Sequence, residues 1–479
     1  MIAPAAKAYP LHGPTAIMAR NQAIGVIMRD LIESALKGHN ADYIEIRIED
    51  TETTHISFRG RELDEVGHST GKGGNVRACV KGGWGFASFN DLDSIREKVE
   101  QAISQARMVG NEKTELADAA PVVAIVPPHI LSDPANVSLS EKHHILEGYL
   151  DLLWGGPDIQ TSSLRYADGH RRMFYGNSQG TYTEQSRIDV NFWASAIARN
   201  GGDIQQASIS MGSLGDFDLI HRMQAEVAEL PQKAVNFLAA PQVKGGEYTV
   251  ILDPVLAGVF VHEAFGHLSE ADHVYENPKL REVMVLGRRF GGEHLNIVDG
   301  AKIPDLRGSF QYDEEGVEAQ RTDLIREGVL VGRLHSRETA AKMGETPSGN
   351  ARAIGYQHPP IVRMTNTIIE PGKATLDDLL EGVKEGVYCK NWYGGMTSME
   401  QFTFSAGETY MIRDGHIAET VRPVMLSGNV FSTLESLDGV ANDLEMNEGG
   451  GCGKGGQSPL PVSNGSPHIR LRNCLVGGA

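Results

Sequence analysis

Residues 248–273 read YTVILDPVLAGVFVHEAFGHLSEADH, and no other stretch restricts the fold as tightly. Tyr248 to Leu252 is a short run rich in β-branched and apolar residues, the signature of a buried strand. Asp253 and Pro254 then supply a helix N-cap and a first helical residue. From Val255 to Leu268 the chain is apolar almost all round, so the helix it forms has to lie inside a core. Yet His262, Glu263 and His267 sit within that helix. Whatever the fold, it must bury a strand-to-helix unit and still accommodate three ionisable side chains.

On a regular α-helix, residues five apart point roughly 140° away from each other, so His262 and His267 would not share a ligand. Gly266 stands immediately before His267, and a π-bulge or an unwound turn there swings the second ring back beside the first. H-E-x-x-x-H is then the helical H-E-x-x-H metal motif with one residue added, and it demands a local distortion. Glu263 projects about 100° from His262, beside a metal and not on it, which is the place of a general base. The plain alternative is a core histidine, a solvated glutamate and a helix-end histidine. Val261, Ala264 and Phe265 around Glu263 count against it, because a buried carboxylate without a cation is costly.

A third metal ligand has to come from elsewhere, with Glu270, His273, His468 and Cys452 as candidates. Cys452 stands alone among glycines in NEGGGCGKGGQ, where it has little to pack against and a coordinating or reactive role is the more natural one. The same run fails as a phosphate loop. Glu448 occupies the first glycine position, and Gly455 follows Lys454 where Ser or Thr would hold magnesium.

The chain of 479 residues exceeds what one core usually serves. Apolar periodicity marks helices over 21–40, 92–111, 141–154 and 217–239, the last broken near Pro231. Alternating stretches over 42–90 and 171–202 read as antiparallel strands with one solvated face. These observations predict an α+β chain: a tail over 1–20, an α/β domain with a mainly antiparallel sheet over 21–240, and a Gly-rich, β-dominated domain over 245–479 carrying the histidine helix. APQVKGGEY, at 240–248, reads as the linker. A net charge of -18 argues against nucleic acid or an anionic membrane as the main partner. No apolar run has signal-peptide or bilayer-spanning length, and four scattered cysteines suit a reducing compartment, so a cytoplasmic address is expected.

HEAFGHLSEADH near mid-chain together with GGGCGKGGQ near the C-terminus resembles the TldD/PmbA (TldD and TldE) metallopeptidases, formerly labelled modulators of DNA gyrase. The likeness covers most of the chain. It implies zinc bound by His262, His267 and Cys452, with Glu263 as the catalytic glutamate. TldE-type subunits lack the histidine motif, so this chain resembles the active TldD type. The resemblance also implies cleavage of short or unfolded peptides inside a cavity enclosed by a dimer, the partner being a second copy or a TldE-like chain.

Glu270 matches an acidic position of the family motif and is expected behind the ligands. Arg363 and Asn366 in IVRMTNT are candidates to orient a substrate backbone, with strand-surface residues as the plain reading. Backbone N–H groups of GGGCGKGG are candidates to hold an oxyanion. Asp313, Glu314 and Glu315 read as a solvated turn. Two other classes of function stay open: a zinc hydrolase or amidase acting on a small molecule, and a non-catalytic scaffold subunit.

Overall fold

Along Tyr43–Arg59 (β1), Ile44, Ile46 and Ile48 alternate with Glu45, Arg47 and Glu49, which gives the sheet that holds them one apolar and one charged face. The computed structural model describes residues 14–156, 158–398 and 400–478. In it β1 lies between Glu62–Val80 (β2) and Ile159–Asn177 (β5). Gly83–Phe89 (β3), Val123–Val126 (β4), Tyr182–Asn200 (β6) and Asp203–Leu214 (β7) complete a seven-stranded sheet of order β3-β2-β1-β5-β6-β4, with β7 also on β6. Every pairing is antiparallel except β4 with β6.

Helices cover the apolar face. Pro14–Leu36 (α1) and Ile95–Val109 (α2) pack on the β1 isoleucines, while Leu139–Leu153 (α3) and Gln224–Ala239 (α5) pack on Phe192, Ala194 and Ala196 of β6. α1 begins at Pro14, inside the expected tail, whose first thirteen residues lie outside those described. The helix expected over 217–239 breaks at Met223, after the short Leu219–Arg222 (α4), and runs on through Pro231.

The charged face is not solvated, contrary to the strand pattern. It is buried against the C-terminal half, and so is the 313–315 turn: Asp313, Glu314 and Glu315 are all buried. Arg47 pairs with Glu314, Arg171 with Glu314 at 3.0 Å, and Arg77 with Glu315 at 3.4 Å and Glu45 at 2.7 Å. The acidic run looks solvated in sequence because its cations arrive from β1, β2 and β5.

In the C-terminal half, Gly246–Leu252 (β8) pairs in parallel with the strand Glu385–Ser398 and antiparallel with Ile469–Gly478. Val424–Asn429 and Gln401–Arg413 continue the sheet, and Gln401–Arg413 returns to Glu385–Ser398, so five strands close into a ring. Pro254–Val261 (α6) leaves β8 as the sequence requires, its first turn held by Asp253 Oδ1 accepting from Leu256 N at 2.8 Å. Phe260 on α6 meets Phe402 and Phe404 of the ring at 5.6 and 5.7 Å between ring centroids. The α+β class, with an antiparallel N-terminal sheet and a strand-rich C-terminal half, is as expected. Among the described residues no helix is long and apolar enough to cross a membrane.

Candidate metal centre

α6 does not continue as an α-helix through the motif. His262 to Gly266 form a π turn in which the His267 amide donates to the His262 carbonyl, five residues back, and His267–Ser269 follow as a 3₁₀ turn. This is the distortion the spacing demands, and it sets the two imidazole centroids 5.2 Å apart. The role of Gly266 differs from the one its type suggests. Its backbone is ordinary right-handed helix, φ -56 and ψ -51. What an added side chain would meet is the Met364 thioether, which would have to move to admit a Cβ.

Cys452 reaches the same place from far along the chain. It opens the hairpin Cys452–Lys454/Gln457–Leu460, whose two-residue turn has positive φ at both Gly455 and Gly456, 58° and 76°. Glycine is the residue that tolerates such a turn, so part of the glycine-rich run serves a hairpin. Arg363, fully buried, clamps both strands: Nη2 donates to the Cys452 carbonyl at 2.7 Å and Nη1 to the Gln457 carbonyl at 3.2 Å. Asn366 is equally buried, its amide shared among Gly300 O, Ser309 Oγ and Gly308 N. Neither is a strand-surface residue, and these polar groups are spent inside the protein. Two of the glycine-loop amides are spent as well, Gly449 N on Asn447 Oδ1 and Gly450 N on Ser210 Oγ.

His262, His267 and Cys452 each offer one ligand atom, all within 4.8 Å of one another, and they are the one such cluster among the described residues. Cys452 Sγ lies 3.5 Å from His267 Nε2. Sulfur and nitrogen bound to one tetrahedral zinc, at about 2.3 and 2.05 Å, stand about 3.5 Å apart, so the pair needs little adjustment to hold the ion. His262 Nδ1 is buried without a hydrogen-bond partner, and no protein group satisfies it. Two imidazoles and a thiolate are a donor set that zinc accepts, and three protein ligands leave a position open.

The electrostatics agree. Burial opposes the Cys452 thiolate, but His262 and then His267 outweigh it and hold the thiol well below its ordinary range. Burial likewise opposes charge on His267, yet Glu270, with Cys452 behind it, keeps the ring well above the usual imidazole range. Glu270 is the carboxylate buried at 0% exposure, whereas Glu263, which sequence placed in the apolar surroundings, is only half-buried. Burial would raise Glu270, but Lys454 and then His267 pull it well below the carboxylate range. Glu270 Oε2 accepts from His267 Nδ1 at 3.1 Å, on the ring edge away from Cys452.

The other third-ligand candidates lie elsewhere: His273 is 3.8 Å from Glu270, and His468 binds Asp443 and Tyr388 at 2.7 and 2.9 Å. Lys454, at the end of the cysteine strand beside the hairpin turn, carries no sequence signal of a role at this site. A cavity of about 770 Å³ between the N-terminal sheet and residues 301–314 is lined by Arg187, Arg352, Phe310 and Leu460, but by none of the cluster.

Known proteins share this fold and order of domains. Residues 245–478 match the PmbA/TldA metallopeptidase C-terminal domain, 44–106 its domain 1 and 132–240 its central domain. The chain belongs to this metallopeptidase family. A family relative from Synechocystis, named a metalloprotease, is 48% identical over 440 residues, 91% of this chain and 95% of that protein. A Saccharolobus solfataricus relative, named a zinc metalloprotease TldD homolog, is 31% identical across 91% of this chain and 97% of its own. The solved structure of TldE from Thermococcus kodakarensis shares the fold, with TM-score 0.72 over 94% of this chain and all of that one, at 17% identity.

Proposed function

We propose that this chain is a zinc-dependent peptidase that hydrolyses peptide bonds of short or unfolded peptides, with His262, His267 and Cys452 as metal ligands and Glu263 as the catalytic base. One observation carries the reading: three donor atoms of zinc-ligand type lie within 4.8 Å of one another, and the half-buried Glu263 follows the first ligand on the π turn. Bound there, zinc supplies a Lewis acid that polarises a peptide carbonyl and makes a water more acidic.

The chain's own groups do the rest. Glu263 takes a proton from the attacking water and delivers it to the leaving amine. Glu270 fixes the His267 ring by accepting from Nδ1, so Nε2 faces the cluster.

Substrate placement is supported by the strand Glu385–Ser398. Its pairing with β8 ends at Cys389, and among the described residues 392–398 pair only with Gln401–Arg413. Gly395 lies beside Glu263, whose Cγ would be 3.7 Å from an added Cβ there. An extended peptide laid along that edge gains main-chain hydrogen bonds with little sequence preference. The proposal includes a cytoplasmic dimer that encloses the site, made with a second copy or a TldE-like chain, because an unsecluded peptidase endangers its own compartment.

The test is cleavage of a peptide library and of denatured casein before chelation, after chelation and after zinc is returned. Loss and recovery of cleavage support the proposal. Peptides left intact by the zinc-loaded protein would reject it in favour of a small-molecule amidase or a scaffold.

A further inference from the structure

Behind the three proposed ligands, a single ammonium joins the two elements that carry them. Lys454 Nζ donates to Asp272 Oδ1 at 2.6 Å and to the Val362 carbonyl at 2.8 Å, and it forms an ion pair with Glu270 Oε2 at 3.1 Å. Lys454 belongs to the hairpin strand of Cys452, whereas Glu270 and Asp272 follow His267 on the motif segment. Both sides of the contact are buried, with side-chain exposures of 7% for Lys454 and 0% for Glu270. Glu270 depends on this contact. Its Oε1 is buried without a partner, so its charge is met through Oε2, by His267 Nδ1 and Lys454 at 3.1 Å each and by His273 Nδ1 farther off at 3.8 Å.

We propose that Lys454 is a positioning residue: through Glu270 it fixes the His267 ring, and by tying Glu270 and Asp272 to its own strand it holds Cys452 against that ring before any metal is bound. The proposal rests on the ligand assignment above and adds a cause for its geometry. Without Lys454, the buried carboxylate would keep only its two imidazole contacts and lose the ammonium that fixes its place, so it would be free to turn away from His267. The His267 ring then loses its orienting acceptor, and Cys452 loses the ion pair that registers its hairpin against the motif. The penalty falls on metal binding more than on the fold, since Arg363 still holds both hairpin strands.

The experiment measures zinc affinity by competition with a chromophoric chelator, and the absorption bands of the cobalt(II)-substituted protein, in wild type, Lys454→Met, Glu270→Gln and the double variant. Removing a hydrogen-bonding partner of a metal-ligating histidine costs about 10- to 100-fold in affinity, and that loss is expected for Lys454→Met, with altered cobalt d–d bands. Because Lys454 acts through Glu270, the double variant should bind zinc no more weakly than the weaker single variant. Lys454→Gln, which keeps two donors, is measured the same way should Lys454→Met fail to fold, and an intermediate loss is expected. Zinc affinity within about twofold of wild type and unchanged cobalt bands in the folded variant would overturn the proposal, as would losses that simply multiply in the double variant. Failure of the ligand assignment itself has a different mark: cobalt-substituted wild type would show no thiolate-to-metal charge-transfer band.

Discussion

Arg363 donates from Nη2 to the carbonyl of Cys452 at 2.7 Å, across 89 residues of sequence and with no exposed surface of its own. The guanidinium fixes the backbone that presents the thiol, while its second nitrogen holds the opposite hairpin strand through Gln457 O. The proposed ligand cysteine therefore stands on a backbone that is rigid before any ion arrives.

Arg363→Met should therefore lower both stability and zinc affinity. Two buried carbonyls lose their donor, at about 1–3 kcal/mol each. Urea denaturation of the zinc-free protein reads the first effect and chelator competition the second. A variant as stable as wild type would show that the clamp is dispensable.

Gly266→Ala places a methyl against the Met364 thioether. Overpacking of this kind costs roughly 1–3 kcal/mol. If Met364 is the obstacle, shortening it by Met364→Val should recover part of the loss, and the double variant should be more stable than the sum of the singles predicts. Strict additivity in thermal melts would assign the need for glycine to something else.

The motif was legible because its constraint is local. Residues five apart on a helix cannot meet without a distortion, and the His262–Gly266 π turn supplies it. The pairing of His267 with Cys452 was not legible from spacing, since 185 residues separate them, and it entered through family resemblance. Nothing local marks the role of Lys454, because its acidic partners, Glu270 and Asp272, lie almost as far away in sequence. The same cause misplaced the 313–315 turn. A run of acids looks solvated until Arg47, Arg77 and Arg171 close on it from another sheet.

Arg77 offers a test of that buried contact. It is the ion-pair partner of both Glu45 and Glu315, and all three are buried. Arg77→Met should cost about 3–5 kcal/mol, because two carboxylates are left without it. Adding Glu45→Gln and Glu315→Gln should restore much of the loss. If denaturation midpoints show no restoration, the cost lies in lost packing on Trp84 and not in stranded charge.

Asp253 gives the fold a pH dependence of known sign. Burial pushes its carboxyl up from 3.8 to about 6, against the hydrogen bonds from Leu256 N and Asn391 N. A folded value above the unfolded one means that its contribution is fully present below pH 3.8 and is lost as pH rises through about 6. Asp253→Asn keeps an acceptor without the charge. The stability difference between wild type and this variant should therefore shift by up to about 3 kcal/mol between pH 4 and 7, in favour of the variant at the higher pH. Parallel stability curves for the two proteins would contradict the assignment.

The central claim is that Cys452 holds the metal and Glu263 does not. Elemental analysis of zinc per folded chain in Glu263→Ala and Cys452→Ala separates the two roles. The account predicts about one zinc per chain in Glu263→Ala, which should nonetheless cleave no peptide, and little or none in Cys452→Ala. Full zinc occupancy in Cys452→Ala, or an empty site in Glu263→Ala, would contradict it.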